Sequence, residues 1–352
     1  MNYELRTMTF GILGSGSWGT ALAKILTDNG NRIHWWNRSE TAIEQFKLRH
    51  HNPQYLPSAR FDINKLELTS HAETVIRNSD VVLIAIPSAF ATAVLSSLDK
   101  KIFEGKKIIS AIKGILPEQN VLLNDYLKTN FNFPIEDYFT VLGPCHAEEV
   151  AAEKLSYLTF TGVDEKATAQ ISAAFKTSYI NTIENRDIYG VQYAAVLKNI
   201  YAVGSGIAHG LDYGDNFLSV LIANSADEMA GFLRKAGILN AEVGYIEHNK
   251  SARPETHNNY ATSVYLGDLL VTCYSLFSRN RTFGNMIGKG YSVKAAQLEM
   301  SMIAEGYNAS KCMYILNERI GAEMPIAKTI YQILWQHIPA NEGFKQIEAG
   351  LL

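Results

Sequence analysis

Three glycines near the start of the sequence have the spacing of a phosphate-binding turn. Gly14, Gly16 and Gly19 fit the pattern G-x-G-x-x-G, which is a weak signal by itself. An apolar run over residues 8–13 precedes them, and a helical pattern rich in Ala and Leu follows to Thr27. A strand, a tight turn and a helix in this order place free backbone N–H groups opposite a pyrophosphate. The pattern predicts a dinucleotide site; the alternative is a glycine-rich turn in another α/β protein.

The end of the second predicted strand bears on which dinucleotide is bound. In sheets that prefer NAD, an Asp or Glu about twenty residues past the glycines binds the ribose 2′-hydroxyl. Asn37 and Arg38 occupy that place here. Asn37 does not repel a 2′-phosphate and Arg38 can pair with one, so we expect NADPH to be preferred, with NADH as the alternative. The competing interpretation of Arg38 is a solvated loop residue.

Lys198 is the residue of the second half whose surroundings favour proton transfer. It lies in an otherwise apolar helical pattern, where an unpaired ammonium is costly to bury. Burial and a second cation nearby would lower its pKa toward the range of a general acid or base. Asp268 and Thr272 are spaced i, i+4, and we expect their shared helix face to meet Lys198 and Asn199. The alternative is a lysine that snorkels at a helix edge.

A polar cluster that could bind a phosphate follows Asp268. Residues 278–281 supply a hydroxyl, two guanidinium groups and, if they begin a helix, free backbone N–H groups. We expect Arg281 to be a surface or packing cation rather than a ligand.

The elements that must position these residues form two blocks. Strand-like runs alternate with helical patterns at first, which is typical of a parallel sheet with crossover helices. The predicted strands cover residues 8–13, 32–36, 81–86, 107–110, 139–142, 156–161 and 179–182. Predicted helices then follow at residues 191–207, 216–236, 262–274, 293–299, 309–316 and 326–335. The predicted fold class is an α/β Rossmann-type dinucleotide-binding domain over residues 1–187, then an all-α substrate domain over residues 188–352.

The bulk composition excludes several classes of protein. The chain has 352 residues and a formal net charge of -3, which gives no reason to expect nucleic acid or an anionic membrane as partner. No apolar run reaches the roughly 18–20 residues of a membrane helix, and no signal-peptide pattern opens the chain. Cys145, Cys273 and Cys312 are scattered, which favours a reducing compartment over a disulfide framework. We expect a cytoplasmic protein.

Longer motifs along the chain resemble those of one enzyme family. That family is the NAD(P)-dependent glycerol-3-phosphate dehydrogenases of the bacterial type, and the matches follow its order over nearly the whole chain. The motifs are GSGSWGTALA (14–23), IPS (86–88), KG (113–114), GPCHAEE (143–149), LKNIYA (197–202), GDN (214–216), GDLLVTC (267–273) and SRNR (278–281).

The resemblance implies an oxidoreductase that interconverts dihydroxyacetone phosphate and sn-glycerol 3-phosphate for glycerophospholipid synthesis, without a metal. It implies that Lys198 is the catalytic acid and base; the expected assembly is a homodimer. The implied substrate-binding residues are Lys113, Gly143, Cys145, Lys198, Asn199, Asp268, Thr272, Ser278, Arg279 and Asn280. With the residues that the glycine pattern and the strand ends indicate, the expected cofactor-binding residues are Gly14, Gly16, Ser17, Trp18, Gly19, Asn37, Arg38, Pro87, Lys113, Ala147, Arg279, Ile303 and Glu305.

The chain departs from the family in two places. Cys145 stands where relatives often have Ser or Thr, which is harmless if backbone N–H groups hold the substrate and weakens affinity if a hydroxyl is needed. Cys145, His146, Glu148 and Glu149 lack a second ligand cluster at metal spacing, so we expect no metal site. We expect no nucleophilic role for Cys145 either, because hydride transfer needs no thiol. Residues 238–261 form a longer segment than in many relatives. A second G-x-G at residues 204–206 follows a helix and is expected to serve close packing or a cap.

Two other functions remain as alternatives. One is a different dehydrogenase of the same architecture, such as a 3-hydroxyacid or ketopantoate reductase, although those lack the cluster at residues 278–281. The other is a nucleotide-sensing protein that kept the fold and lost catalysis. Lys113, Lys198, Asp268 and Arg279 argue against the second.

Overall fold

The computed structural model describes residues 8–238, 264–300 and 304–351. Ile303 and residues 239–261 of the predicted longer segment lie outside these ranges. Within them, no helix combines the length and the apolar character needed to cross a membrane.

The first half of the described chain forms a sheet covered by helices. Its strands are β1 (Phe10–Leu13), β2 (Ile33–Trp36), β3 (Leu66–Thr69), β4 (Val81–Ile84), β5 (Lys107–Ser110), β6 (Tyr138–Leu142), β7 (Ser156–Thr161) and β8 (Ile180–Asn185). Its helices are α1 (Ser17–Asp28), α2 (Glu40–Arg49), α3 (Ala72–Arg77), α4 (Ser88–Leu95), α5 (Leu123–Phe131), α6 (Ala147–Ala151) and α7 (Glu165–Ala174). The predicted Rossmann-type α/β class is confirmed.

The strand order is β3-β2-β1-β4-β5-β6-β7-β8, and neighbouring strands run parallel except for β6 and β7. The predicted parallel pairing is therefore wrong at this one junction, where Thr140 lies opposite Thr161 in antiparallel register. The helix between these strands, α6, has 5 residues. It rises only about 7–8 Å, which is too short to return the chain along a strand of about 16 Å.

Strand β4 lies in the middle of the sheet and is buried on both faces. Val81 and Leu83 pack into the apolar core on one face, and Val82 and Ile84 pack into the core on the other. A strand covered on both sides has no polar alternation, which explains its continuous apolar sequence. Strand β3 lies at the edge of the sheet and is only partly buried, so its short mixed sequence was not predicted.

The described part of the second half is helical, as predicted. Its helices are α8 (Ile188–Gly210), α9 (Asp215–Lys235), α10 (Leu266–Tyr274), α11 (Arg279–Gly288), α12 (Val293–Glu299), α13 (Glu305–Ile320), α14 (Pro325–Trp335) and α15 (Ala340–Gly350). Helices α11 and α15 were not predicted, because polar residues and glycines interrupt their apolar pattern. Strand β8 ends at Asn185, and Asp187 caps α8 by accepting a hydrogen bond from the Gly190 N–H at 2.8 Å.

Helix α8 forms the centre of the helical domain and packs closely on α11. A Cβ added at Gly206 would lie 2.1 Å from the carbonyl oxygen of Arg281, and one at Gly284 would lie 2.0 Å from that of Val203. Only residues without a side chain permit this approach of two helix backbones. The second G-x-G therefore serves helix packing, as expected, and the close contact brings the start of α11 next to Lys198 and Asn199.

Candidate active site

The turn between β1 and α1 is shaped by its glycines. Gly14 has a φ of 122°, and a Cβ there would lie 2.4 Å from the carbonyl oxygen of Ala85, which directly follows the neighbouring strand β4. A Cβ on Gly19 would lie 2.3 Å from the carbonyl oxygen of Gly14, so the helix rests directly on the turn. Apart from Gly16 itself and its two chain neighbours, no described residue has an atom within 4 Å of the Cβ position of Gly16, which begins α1 without a side-chain cap. The turn thus presents helix N–H groups to an open space.

A cleft of ≈ 380 Å³ lies between the carboxyl ends of strands β1, β4 and β5 and the helical domain. This size suits a small-molecule site. Most of the predicted site residues line it: Gly16, Ser17, Trp18, Pro87, Lys113, Cys145, Ala147, Lys198, Asn199, Asp268, Thr272, Ser278, Arg279, Asn280 and Glu305.

Some predicted residues do not line this cleft. Gly14 and Gly19 lie beneath the turn, and Gly143 packs against β7, where a Cβ would lie 2.8 Å from the carbonyl oxygen of Tyr157. Asn37 is buried at the end of β2 and accepts a hydrogen bond from the Ser39 N–H at 3.1 Å. Arg38 is exposed. The structure therefore brings the catalytic and phosphate-binding candidates together but keeps the candidates for cofactor preference apart from them.

Lys198 and Asp268 form an ion pair inside the cleft, each with only 2% of its surface exposed. The pKa of Lys198 is lowered to about 8, chiefly by burial; the neighbouring Asp268 carboxylate offsets part of this effect, and the Lys113 ammonium adds to it. Thr272 donates a hydrogen bond to the carbonyl oxygen of Asp268 at 2.5 Å. The i, i+4 spacing of Asp268 and Thr272 thus places both on the helix face that meets Lys198.

Lys113 follows β5 and enters the cleft from the opposite wall. Its Nζ lies 4.5 Å from the centre of the Trp18 ring, which is the geometry of a cation–π contact. Its backbone carbonyl accepts a hydrogen bond from Asn199 Nδ2 at 3.0 Å. The loop is therefore tied at its backbone to the helical domain, while its ammonium faces the cofactor turn.

The start of α11 forms the end of the cleft. Ser278 caps this helix by accepting a hydrogen bond from the Arg281 N–H, and Arg279 is its exposed first residue. Asn280 is buried and donates a hydrogen bond to Asn199 Oδ1 at 2.9 Å. Arg281 donates to the carbonyl oxygen of Tyr274 at 3.0 Å and does not line the cleft, consistent with the packing role expected for it.

Glu305 connects the two domains at the other side of the cleft. Its carboxylate accepts hydrogen bonds from the Ser88 N–H at 3.2 Å and the Ser88 hydroxyl at 2.6 Å. Ser88 is the first residue of α4, whose N-cap residue, Pro87, makes no side-chain capping bond. This partnership of Ser88 and Glu305 was not predicted, because the bond joins residues 217 positions apart.

Cys145 and His146 line the cleft without the chemistry that their residue types suggest. Burial raises the pKa of the Cys145 thiol to about 12, so the thiolate is not available. Burial, then the charges of Lys113 and Lys198, lower the pKa of His146 to about 4, which keeps the imidazole neutral. Among the described residues, no group of His, Cys, Asp and Glu is arranged to hold a metal ion.

Several lining residues were not identified from the sequence. Tyr55, Phe90 and Phe277 add aromatic surface to the rim of the cleft. No motif surrounds Tyr55 in the loop after α2. Phe90 and Phe277 lie beside recognised motifs, which is the only signal that could have indicated them.

Comparisons with known proteins agree over both halves. A family model described as the N-terminus of NAD-dependent glycerol-3-phosphate dehydrogenase matches residues 9–168, and the corresponding C-terminus model matches residues 187–345. The chain is 32% identical to glycerol-3-phosphate dehydrogenase (NAD(P)+) of Agathobacter rectalis over 338 residues, 96% of this chain and 94% of that protein. It is 31% identical to the enzyme of the same name from Staphylococcus saprophyticus over 337 residues, 96% of each. A crystal structure of glycerol-3-phosphate dehydrogenase from Coxiella burnetii aligns with a TM-score of 0.85 at 25% identity, covering 97% of this chain and 99% of that one.

Proposed function

The chain belongs to the NAD-dependent glycerol-3-phosphate dehydrogenase family, and from this premise we propose that it reversibly transfers a hydride between NAD(P)H and C2 of dihydroxyacetone phosphate. The product of reduction is sn-glycerol 3-phosphate, which would supply glycerophospholipid synthesis. One observation carries the proposal: the glycine turn and the buried Lys198–Asp268 pair open onto the same cleft. The homodimer and the cytoplasmic location stay predictions.

A dinucleotide fits the sheet side of the cleft. The open space at Gly16 and the uncapped start of α1 suit a pyrophosphate, because helix N–H groups favour negative charge. Trp18 and Pro87 would bound the nicotinamide end, where the dinucleotide supplies or takes up the hydride when bound. The residues that would hold it are Gly16, Ser17, Trp18, Pro87, Lys113, Ala147, Arg279 and Glu305.

Lys198 is proposed as the general acid and base. When the new C–H bond forms at C2, the electrons of the carbonyl π bond move onto oxygen, and Lys198 Nζ protonates that oxygen. In the reverse direction, neutral Lys198 removes the proton from the C2 hydroxyl. Asp268 orients the ammonium, and the pKa of about 8 lets Lys198 exchange a proton near neutral pH.

The substrate phosphate is proposed to bind at the start of α11. Arg279 supplies a guanidinium. The first backbone N–H groups of α11 lie at the positive end of the helix dipole and favour the binding of an anion. Asn280 lines the same cleft, and we propose that its second side-chain N–H, besides the one donated to Asn199, binds the same ligand. Lys113 supplies positive charge from the opposite wall.

We propose that NADPH is preferred because the end of β2 lacks an acidic residue. The side chain of Asn37 is already engaged with the Ser39 N–H, which leaves the exposed Arg38 to meet a 2′-phosphate. The nearest acid along the chain, Glu40, accepts a hydrogen bond from the Ser70 hydroxyl at 3.2 Å. If NADH is used equally well, Glu40 is the residue to test as a ribose ligand.

The test is oxidation of NADPH and of NADH by the purified protein with dihydroxyacetone phosphate, compared with unphosphorylated dihydroxyacetone. We expect turnover of the phosphate ester and at least tenfold lower kcat/KM for the unphosphorylated ketone, because the contacts at α11 are lost. No turnover by folded protein that binds NADPH would reject the enzyme and favour a nucleotide-binding protein. Equal rates with both ketones would reject the phosphate site at α11.

A further inference from the structure

Two asparagines of the helical domain are hydrogen-bonded in series to the loop that carries Lys113. The Gly306 N–H donates to Asn280 Oδ1 at 2.9 Å, Asn280 Nδ2 donates to Asn199 Oδ1 at 2.9 Å, and Asn199 Nδ2 donates to the Lys113 carbonyl at 3.0 Å. We infer that Asn280 is a positioning residue that acts through Asn199 on Lys113, in addition to any contact with substrate. The inference rests on the proposed function.

The two ends of this series fix the direction of every bond in it. A backbone N–H can only donate and a backbone carbonyl can only accept, whereas a carboxamide can rotate to present either its oxygen or its NH₂ group. Because Gly306 donates to Asn280, the NH₂ group of Asn280 must face Asn199. The oxygen of Asn199 is thereby occupied, and its NH₂ group must face the Lys113 carbonyl. Asn280 therefore determines the orientation of the Asn199 carboxamide, which it contacts on the side opposite to Lys113.

The same loop is enclosed from a second direction. Gly114, next to Lys113, is packed so closely that a Cβ would lie 2.6 Å from the Ser88 hydroxyl oxygen and 2.9 Å from Glu305 Oε2. Glu305 immediately precedes Gly306, which begins the asparagine series. Two sets of contacts therefore connect the same two segments. They start at the adjacent residues Glu305 and Gly306 of α13 and end at the adjacent residues Lys113 and Gly114. A loop held at both residues has little freedom to move its ammonium.

The position of Lys113 matters to Lys198 because the two ammonium groups repel each other. Lys198 faces Asp268 and Cys273 from α10 and Lys113 from the β5 loop, and the charge of Lys113 contributes to its lowered pKa. Neutral His146 lies in the same cleft and adds no charge. If the asparagine series is broken, the loop is enclosed only at Gly114, and we expect the Lys113 ammonium to move away from Lys198 and its effect on Lys198 to weaken. We therefore expect the pKa of Lys198, which governs proton transfer, to rise.

The test is a double-mutant cycle read by the pH dependence of kcat/KM. We expect Asn280→Ala to raise the apparent pKa of the basic limb for reduction by about half a unit or more, and Lys113→Met to raise it as well. In the Lys113→Met background, Asn280→Ala should give no further rise, because its effect requires the Lys113 charge. A shift of the same size in both backgrounds, or no shift in either, would overturn the inference, whatever happens to KM.

Two further measurements do not depend on turnover. Trp18 fluorescence, assigned by difference with Trp18→Phe, should change in Asn280→Ala, because the Lys113 ammonium lies over its ring. The half-buried Asn285 on the same helix lines no part of the cleft, so Asn285→Ala should leave the spectrum and the pH profile unchanged. The isosteric Asn280→Asp reverses the bond to Asn199 and should change Trp18 emission at least as much. If Trp18 emission is the same in all these variants, the inference fails even though the proposed function stands.

Discussion

The cofactor turn and the Lys198–Asp268 pair face each other across one cleft but are built in opposite ways. The turn works by the absence of side chains: Gly14 and Gly19 leave room for backbone contacts, and Gly16 leaves room for a ligand. The pair works by side chains that are almost wholly buried and come from helices α8 and α10. A backbone site requires only glycines at fixed spacing, whereas a side-chain site requires a set of distant residues to be packed together.

This difference has an energetic consequence. Backbone N–H groups at a helix start are polar whether or not a ligand is bound, and they need no charged partner. A buried ammonium is costly unless it is paired, and removing one member leaves the other uncompensated. A substitution at Gly16 should therefore weaken cofactor binding without destabilising the fold. Substitutions of Lys198 or Asp268 should affect both catalysis and stability.

The largest expected effect is that of Lys198→Met. We expect kcat to fall roughly 100- to 10,000-fold, the usual contribution of a general acid or base. NADPH affinity should stay within a few-fold, because the glycine turn does not depend on the pair. Steady-state rates and fluorescence titration measure the two quantities, with the exposed Lys235→Ala in the same domain as control. A near-normal rate would remove Lys198 from the mechanism.

The same substitution at two neighbouring glycines should separate folding from binding. Gly14→Ala forces a side chain at positive φ against the Ala85 carbonyl, and we expect a loss of about 3 kcal/mol in the free energy of unfolding. Gly16→Ala meets no atom within 4 Å in the described parts of the chain beyond its two neighbours, and it should leave the free energy of unfolding nearly unchanged. Its NADPH affinity should fall about tenfold, or 1.4 kcal/mol, because the methyl group occupies the pyrophosphate position. Denaturation and titration of both variants test this, and unchanged affinity in Gly16→Ala would contradict the placement of the pyrophosphate.

Arg38→Ala tests whether Arg38 recognises the 2′-phosphate of NADPH. We expect kcat/KM for NADPH to fall about tenfold, since an exposed charged hydrogen bond contributes about 1.5 kcal/mol. The value for NADH should change less than twofold. Parallel assays with both cofactors measure the ratio, and Lys47→Ala, at an exposed lysine of α2, serves as the neighbouring control. An equal loss with both cofactors would show that Arg38 does not recognise the 2′-phosphate.

A smaller effect concerns a second buried charge in the helical domain. Glu228 accepts hydrogen bonds from the Ile326 and Ala327 N–H groups at the start of α14, and burial raises its pKa to about 7. The folded protein therefore binds a proton more tightly than the unfolded chain, so this contribution is present below about pH 4.5 and is lost as the pH rises to 7. We expect Tm of the wild type to fall more steeply between pH 5 and 7 than that of Glu228→Gln. Equal slopes would show that Glu228 keeps an ordinary pKa.

The two regions also differ in how far the sequence could predict them. The turn, the central strands and α8 were predicted because local spacing and apolar patterning determine them. The edge strand β3 was missed because a short, half-exposed strand has little patterning. The antiparallel pairing of β6 and β7 depends on the length of α6, which the apolar pattern does not indicate.

The site residues were named from motifs, but their contacts could not be. The sequence placed Asn199 and Asn280 in the site as substrate ligands, yet the structure shows each one hydrogen-bonded within the protein. Nothing in the spacing of residues 199 and 280 indicates that they touch, because the contact depends on the glycine packing of α8 on α11. The bond between Ser88 and Glu305 has the same origin in tertiary structure.

The central claim is that Lys198 exchanges a proton with the substrate oxygen. The most direct test is the pH dependence of kcat/KM in both directions. Reduction requires protonated Lys198, so its rate should fall above a pKa of about 8; oxidation requires the neutral amine, so its rate should rise to a plateau above the same pKa. Opposite limbs that share one pKa, and that disappear from the residual activity of Lys198→Met, are the predicted result. Limbs of the same sign in both directions, or limbs unchanged in Lys198→Met, would contradict the account.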